Sequence, residues 1–212
     1  MRRPRTVAGG LAVAVALLAG AACGGDDGGG GDGVGGPSPL PAELEAFLDR
    51  TGPPGRVAFT AGYEVLQKMG GTFTAVEVAV APPAWQVSAG DVVVIGGPDA
   101  ATCRVSTATC RRGIDEAALS SAGVFSGFFA DAPARQLRAA AGREGAAEAV
   151  FSSHVVAGVA LDCAVVPTAP LTACLTPEGV FGLVDDSARR YGLTSYAAGP
   201  PPEPIAPPFP VG

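Results

Sequence analysis

The sequence predicts an α+β fold: antiparallel strands before and after a central helical segment. Three observations carry this. From Arg56 onward, apolar residues recur at every second position and turn residues interrupt them at short intervals. Between Asp115 and Gly145 that alternation gives way to Ala-rich, helix-compatible spacing. From Ala149 the short apolar runs and turns return.

The N-terminal elements come first. Arg2, Arg3 and Arg5 precede an apolar run from Val7 to Leu18, and small residues lead to Cys23. A basic head, a short apolar body and small residues before a cut define a secretory signal, here residues 1–22. The run is too short to span roughly 30 Å of hydrocarbon. The segment Leu17-Leu18-Ala19-Gly20-Ala21-Ala22-Cys23 resembles the lipobox of bacterial lipoproteins. That resemblance implies that Cys23 is acylated, palmitate-type, and becomes the mature N-terminus. Gly20 departs from it, standing where leucine is usual. A signal cut without acylation is the rival reading. Residues 23–40 then form a tether: nine glycines fall within positions 24–37, with Asp26, Asp27 and Asp32. Such a composition buries no core and spans roughly 20 Å root-mean-square as a coil.

The folded part is predicted over 41–198. Pro41 to Arg50 reads as a short helix with Leu44, Phe47 and Leu48 on one face. Val57, Phe59, Ala61, Tyr63 and Val65 alternate as a first strand, and Gly70-Gly71 turns. Thr74 to Val80, Trp85 to Ala89, Val92 to Ile95 and Thr102 to Val105 follow as an antiparallel meander. Asp115 is placed to cap a helix through Leu119. Val124, Phe125, Phe128 and Phe129 then crowd an apolar stretch around Gly123 and Gly127. Asp131 is predicted as the N-cap of a second helix, with Pro133 in its first turn and Gly142 or Gly145 as its stop. Strands resume through Val155–Val159, Cys163–Val166, Leu171–Leu175, Val180–Val184 and Arg190–Tyr196. The tail, 199–212, has seven prolines among its last thirteen residues and is expected to be extended and outside the core.

Net charge and cysteines bound the function. The chain carries 14 basic against 20 acidic residues, a net charge of −6. An acidic surface disfavours nucleic acid and anionic headgroups. Five cysteines are present; with Cys23 acylated, four remain in an oxidising compartment. Four allow three connectivities, and spacing favours Cys103–Cys110 with Cys163–Cys174. Each would close a short loop, stabilising by roughly 2.5–3 kcal/mol. A zinc site is disfavoured, because there is no Cys-x-x-Cys pair and His154 is the only histidine. No cofactor motif is present.

The order of these parts, with Thr102-Cys103, Cys110-Arg111, Gly158, Cys163, Cys174-Leu175-Thr176-Pro177-Glu178-Gly179-Val180 and Leu193-Thr194-Ser195-Tyr196, resembles actinobacterial lipoproteins. More broadly it is similar to the periplasmic lipoprotein-carrier superfamily and the mycobacterial lipid-carrying lipoproteins. The resemblance covers about 41–198. It implies a curved antiparallel sheet, a half-open barrel, with helices packed on the concave face and an apolar cavity between them. It brings no catalytic residue.

Chemistry is sparse in the sequence. Ser153 and His154 are adjacent on a strand and point to opposite faces; Ser152 shares the face of His154. Gly123-Val124-Phe125-Ser126-Gly127 is out of step with a nucleophile elbow. Asp185-Asp186 reads as a turn. An enzyme is therefore not expected. The first expectation is an acyl-chain or apolar-ligand binder on the extracytoplasmic face of the cell membrane, with Phe59, Tyr63, Trp85, Phe125, Phe128 and Phe129 lining the site and Phe128 nearest the gap. The alternative is a structural or sensory envelope lipoprotein with a filled core that acts by contact with another protein.

Overall fold

A computed structural model describes residues 40–143, 149–167 and 169–212. The signal segment, Cys23 and the tether as far as residue 39 lie outside them.

One antiparallel sheet of eleven strands dominates. In chain order the strands are β1 (Phe59–Gln67), β2 (Thr72–Ala81), β3 (Ala84–Ala89), β4 (Val92–Gly96), β5 (Ala101–Arg104), β6 (Thr109–Arg112), β7 (Val150–Val156), β8 (Val159–Val166), β9 (Leu171–Leu175), β10 (Phe181–Asp185) and β11 (Arg189–Ala198). The helices are α1 (Ala42–Asp49), α2 (Glu116–Ser121) and α3 (Asp131–Ala141). Across the sheet the order is β6-β5-β4-β3-β2-β1-β11-β10-β9-β8-β7. Two meanders thus meet where the last strand pairs with the first. Turn chemistry makes each meander local, and the β1–β11 ladder joins them.

The sheet is curved and unclosed. β7 and β11 approach within 8 Å between Cα atoms, although β10, β9 and β8 separate them in the ladder. A flat sheet would hold them roughly 19 Å apart at the usual strand spacing. The rolled half is therefore β11 to β7. β6 and β7 remain as the two edges.

Period-two patterning puts Phe59, Ala61, Tyr63 and Val65 of β1 on the same face as Val76, Val78 and Val80 of β2. Trp85 and Val87 of β3 and Val92 and Val94 of β4 continue it. Leu44, Phe47 and Leu48 of α1, Leu119 of α2 and Leu137 of α3 complete the same main core. Trp85 lies directly across from Gly96, where a Cβ would stand 2.0 Å from the indole ring. The glycine is what lets the tryptophan lie flat there.

Three local expectations change. Asp131 is the first residue of α3, not its cap; Ala130 holds the cap position and Asp131 pairs with Arg135 one turn on. A carboxylate inside the first turn still favours the helix N-terminus electrostatically. The apolar stretch around Phe125 is a run of turns, not helix. Gly123, at φ +81°, ends α2, and the amide of Val124 turns back to the carbonyl of Leu119. The tail is extended, as its prolines require, but it is not outside the packing. Ile205, Phe209 and Val211 cover a second small core on the opposite face, made of Val93, Ile95, Cys103 and Cys110. Val211 forms a bridge to Cys110 of the edge strand β6.

Candidate functional site

The six residues singled out in the sequence as a ligand wall come together. Phe128 stands edge-on to Tyr63 with ring centres 4.9 Å apart, and 5.5 Å from Phe129. Phe129 meets Phe59 at 5.8 Å and Trp85 at 6.2 Å. Phe125 meets Phe128 at 6.3 Å. The turns after α2 deliver the three insert phenylalanines onto β1, β3 and β11.

Two tyrosines of β11 complete this cluster. Tyr191 stacks on Phe128 at 4.8 Å and takes the edge of Phe125 at 5.7 Å. Tyr196 stacks on Phe59 at 5.8 Å. Tyr191 alternates with Leu193 and both face inward, the signal that could have found it; its position against Val65 is set by the long-range β1–β11 register.

The cluster is filled. Phe128 is 1% exposed, and Tyr63 and Phe129 are each 2% exposed. The recess that adjoins Phe59 and Phe129 has a volume of about 20 Å³. That is room for about one water molecule and far too little for an acyl chain. Each aromatic pair adds about 0.5–1.5 kcal/mol beyond area burial, so the packed arrangement is strongly favoured.

Its polar atoms are satisfied. The Tyr63 hydroxyl donates to the carbonyl of Phe181 at 2.9 Å, and burial pushes the phenol far above its ordinary range. Tyr196 donates to Glu178 at 2.9 Å. Burial, with a share from Glu178, pushes Tyr196 up to about 12. Burial works against the charge of Glu178. Hydrogen bonds from Tyr196, from its own backbone amide and from the Thr176 hydroxyl together outweigh it, and the carboxyl sits below its usual range.

Both favoured disulfides are formed. Cys103–Cys110 joins opposed residues of β5 and β6, and Cys163–Cys174 joins opposed residues of β8 and β9, with Cα atoms 4.0 and 3.9 Å apart. Cys163 and Cys174 lie in the main core. Ser152 Oγ and His154 Nε2 are 3.3 Å apart on the exposed edge strand β7, a reach the sequence could not set. Asp162 lies opposite Ser153, on the other face, and contacts Ser153 at 3.4 Å. Thus no carboxylate orients His154 among the described residues, as a nucleophile–base pair requires. At Asp185-Asp186 the chain turns: Asp186 accepts from the amides of Ala188 and Arg189, and Asp185 pairs with Lys68.

Together these define a disulfide-stapled, curved antiparallel sheet domain, and the two closed disulfides fit an extracytoplasmic location. No protein-family model matches the chain, and no curated protein matches it. Among solved structures it is similar to MucB, with a TM-score of 0.45 and 11% identity over 77% of this chain and 61% of that one. It is also similar to the MucA/MucB complex of Pseudomonas aeruginosa, at 0.44 and 12% over 76% and 59%. For MucB bound to MucA(peri) the values are 0.41 and 12% over 74% and 56%. The chain spans less than two thirds of each of these. At such identity, and with TM-scores below 0.5, nothing about this chain's activity follows from the likeness.

Proposed function

We propose that this chain is a non-catalytic cell-envelope lipoprotein, held at the extracytoplasmic face of the membrane by acylated Cys23, that works by contact with another protein. The observation that carries this over an acyl-chain carrier is the filled aromatic cluster. An acyl chain needs a cavity of a few hundred cubic ångströms, and the space beside Phe59 and Phe129 is about 20 Å³. A carrier would need the insert to swing away on Gly123 and Gly127, separating Phe128 from both Tyr63 and Tyr191. The lipobox resemblance, the short apolar signal and the Gly/Asp tether support the anchor.

Native mass spectrometry of the membrane-extracted protein tests both parts. The expected mass is the polypeptide from Cys23 with its covalent acyl groups and nothing further. A non-covalent lipid retained at one copy per chain, and still retained in the Arg104→Gln/Arg111→Gln variant, would return the reading to a carrier. The Cys23→Ser variant is expected in the medium; retention on salt-washed membranes would remove the anchor from the account.

A further inference from the structure

We propose that the β5–β6 hairpin carries a binding site for a phosphate-bearing ligand, built around Arg104 and Arg111. The inner face of the sheet is apolar through Val92 and Val94 of β4. Register then places Thr102 and Arg104 of β5, and Thr109 and Arg111 of β6, on that same face. α2 is only six residues long and reaches β4 with its buried Ala118 and Leu119. The face beyond it is left open as a recess of about 620 Å³, floored by those four residues and walled by Gly113 to Asp115 and Ala118. Arg112, on the other face of β6, stands at its rim.

Three features make this more than a solvated surface. First, Arg104 and Arg111 are diagonal neighbours on one face, roughly 7–8 Å apart by strand geometry, and like charges so placed repel. Second, their charge is poorly neutralised from within. Among the described residues Arg111 and Arg112 have no ion pair. Arg104 has only Asp91 at 3.9 Å, and Asp91 is already engaged by the amide and hydroxyl of Ser106 at 2.6 and 2.8 Å. The carboxylate of Asp115 on the wall accepts from the amide of Ala118 at 3.0 Å. This concentration of unpaired cation stands on a chain of net charge −6. Third, the floor is pre-set. The Cys103–Cys110 disulfide staples the two strands from the opposite face, at the register position between the two arginines, and the hydroxyls of Thr107 and Thr109 are locked together at 2.7 Å. Forked guanidinium groups on a fixed backbone match the oxygens of a phosphate, and the volume suits a small molecule or a lipid headgroup.

The test titrates pyrophosphate into the full chain, both disulfides closed, by calorimetry at low ionic strength. Phosphatidylcholine vesicles with and without phosphatidylglycerol form the second arm. Saturable binding in either arm is expected, weakening with salt. Loss of at least about tenfold in affinity is expected in the double variant Arg104→Gln/Arg111→Gln, since hydrogen bonds to charged groups are the strong ones. Arg138→Gln/Arg190→Gln, which changes net charge equally, should bind as the unaltered chain does. Binding of pyrophosphate marks a soluble ligand; binding only to phosphatidylglycerol vesicles marks a headgroup. In the unaltered chain, the amide signals of Thr102 and Gly113 should shift on titration. No saturable binding in either arm, equal loss in the two double variants, or shifts confined to other strands overturns the proposal.

Discussion

The two disulfide-stapled hairpins are built alike and live in different surroundings. Each cystine joins directly opposed residues of neighbouring antiparallel strands. Cys163–Cys174 sits inside the main core, with α3 packed against β8 and β9. Cys103–Cys110 sits at a sheet edge, in a small cluster roofed only by Ile205, Phe209 and Val211 of the proline-rich tail. The first hairpin is held by packing that its cystine supplements. The second has little packing of its own, so the staple and the tail carry it. The same covalent device therefore does different physical work, and the contrast can be broken in graded steps.

The largest effect belongs to the main core. Phe128→Ala should cost about 3–5 kcal/mol, because it opens a void among Tyr63, Phe129 and Tyr191. Phe128→Asp should leave the chain unfolded by circular dichroism, since total stabilities of domains are only about 5–15 kcal/mol. A folded, stable Phe128→Asp protein would mean the cluster yields easily, as a carrier's would.

Next come the cystines. Replacing Cys163 and Cys174 with alanine should lower global stability by roughly 3 kcal/mol or more, loop closure and lost core volume acting together. Replacing Cys103 and Cys110 should act locally, with faster amide exchange confined to β5 and β6. Uniform acceleration over all strands in the second variant would show that the edge hairpin is part of the same cooperative unit. Peptide mapping without reductant should find only the two local links.

Truncation after Glu203 comes third. It strips the roof from Val93, Ile95 and the edge cystine, and should cost about 1–3 kcal/mol, read as faster exchange in β4 to β6. Exchange in β8 and β9 should not change.

The smallest effect is alkaline. Tyr196 is pushed up to about 12 from an ordinary 10.0, so its folded state favours the neutral phenol. Stability tied to that preference is complete below pH 10 and is lost as pH rises from there toward 12. Tyr196→Phe should flatten that part of the alkaline limb in denaturant titrations; an unchanged limb would assign it to the buried Tyr63 instead.

Much of this contrast was legible in the sequence. Period-two alternation gave Phe59, Tyr63 and Val65 their shared face, and the seven- and eleven-residue cysteine separations favoured the pairs that form. What could not be read was long-range. Nothing local in Arg189–Ala198 says that this strand pairs with β1 and not only with its neighbour β10. For the same reason Tyr191 and Tyr196 were missed as members of the cluster. The tail misled because seven prolines report backbone stiffness, while Ile205, Phe209 and Val211 between them supply the contact. Whether the aromatic residues line a space or fill one depends on fractions of an ångström in their packing. Residue types alone do not encode that.

The most direct measurement titrates a fluorescent fatty acid into the unaltered protein and follows saturation. A filled core predicts no saturable uptake at micromolar probe, with Phe125, Phe128 and Phe129 unmoved by the acyl chain. Saturable uptake at one probe per chain, abolished by a substitution at Phe128 that preserves the fold, would contradict the account and make the aromatic cluster a binding site.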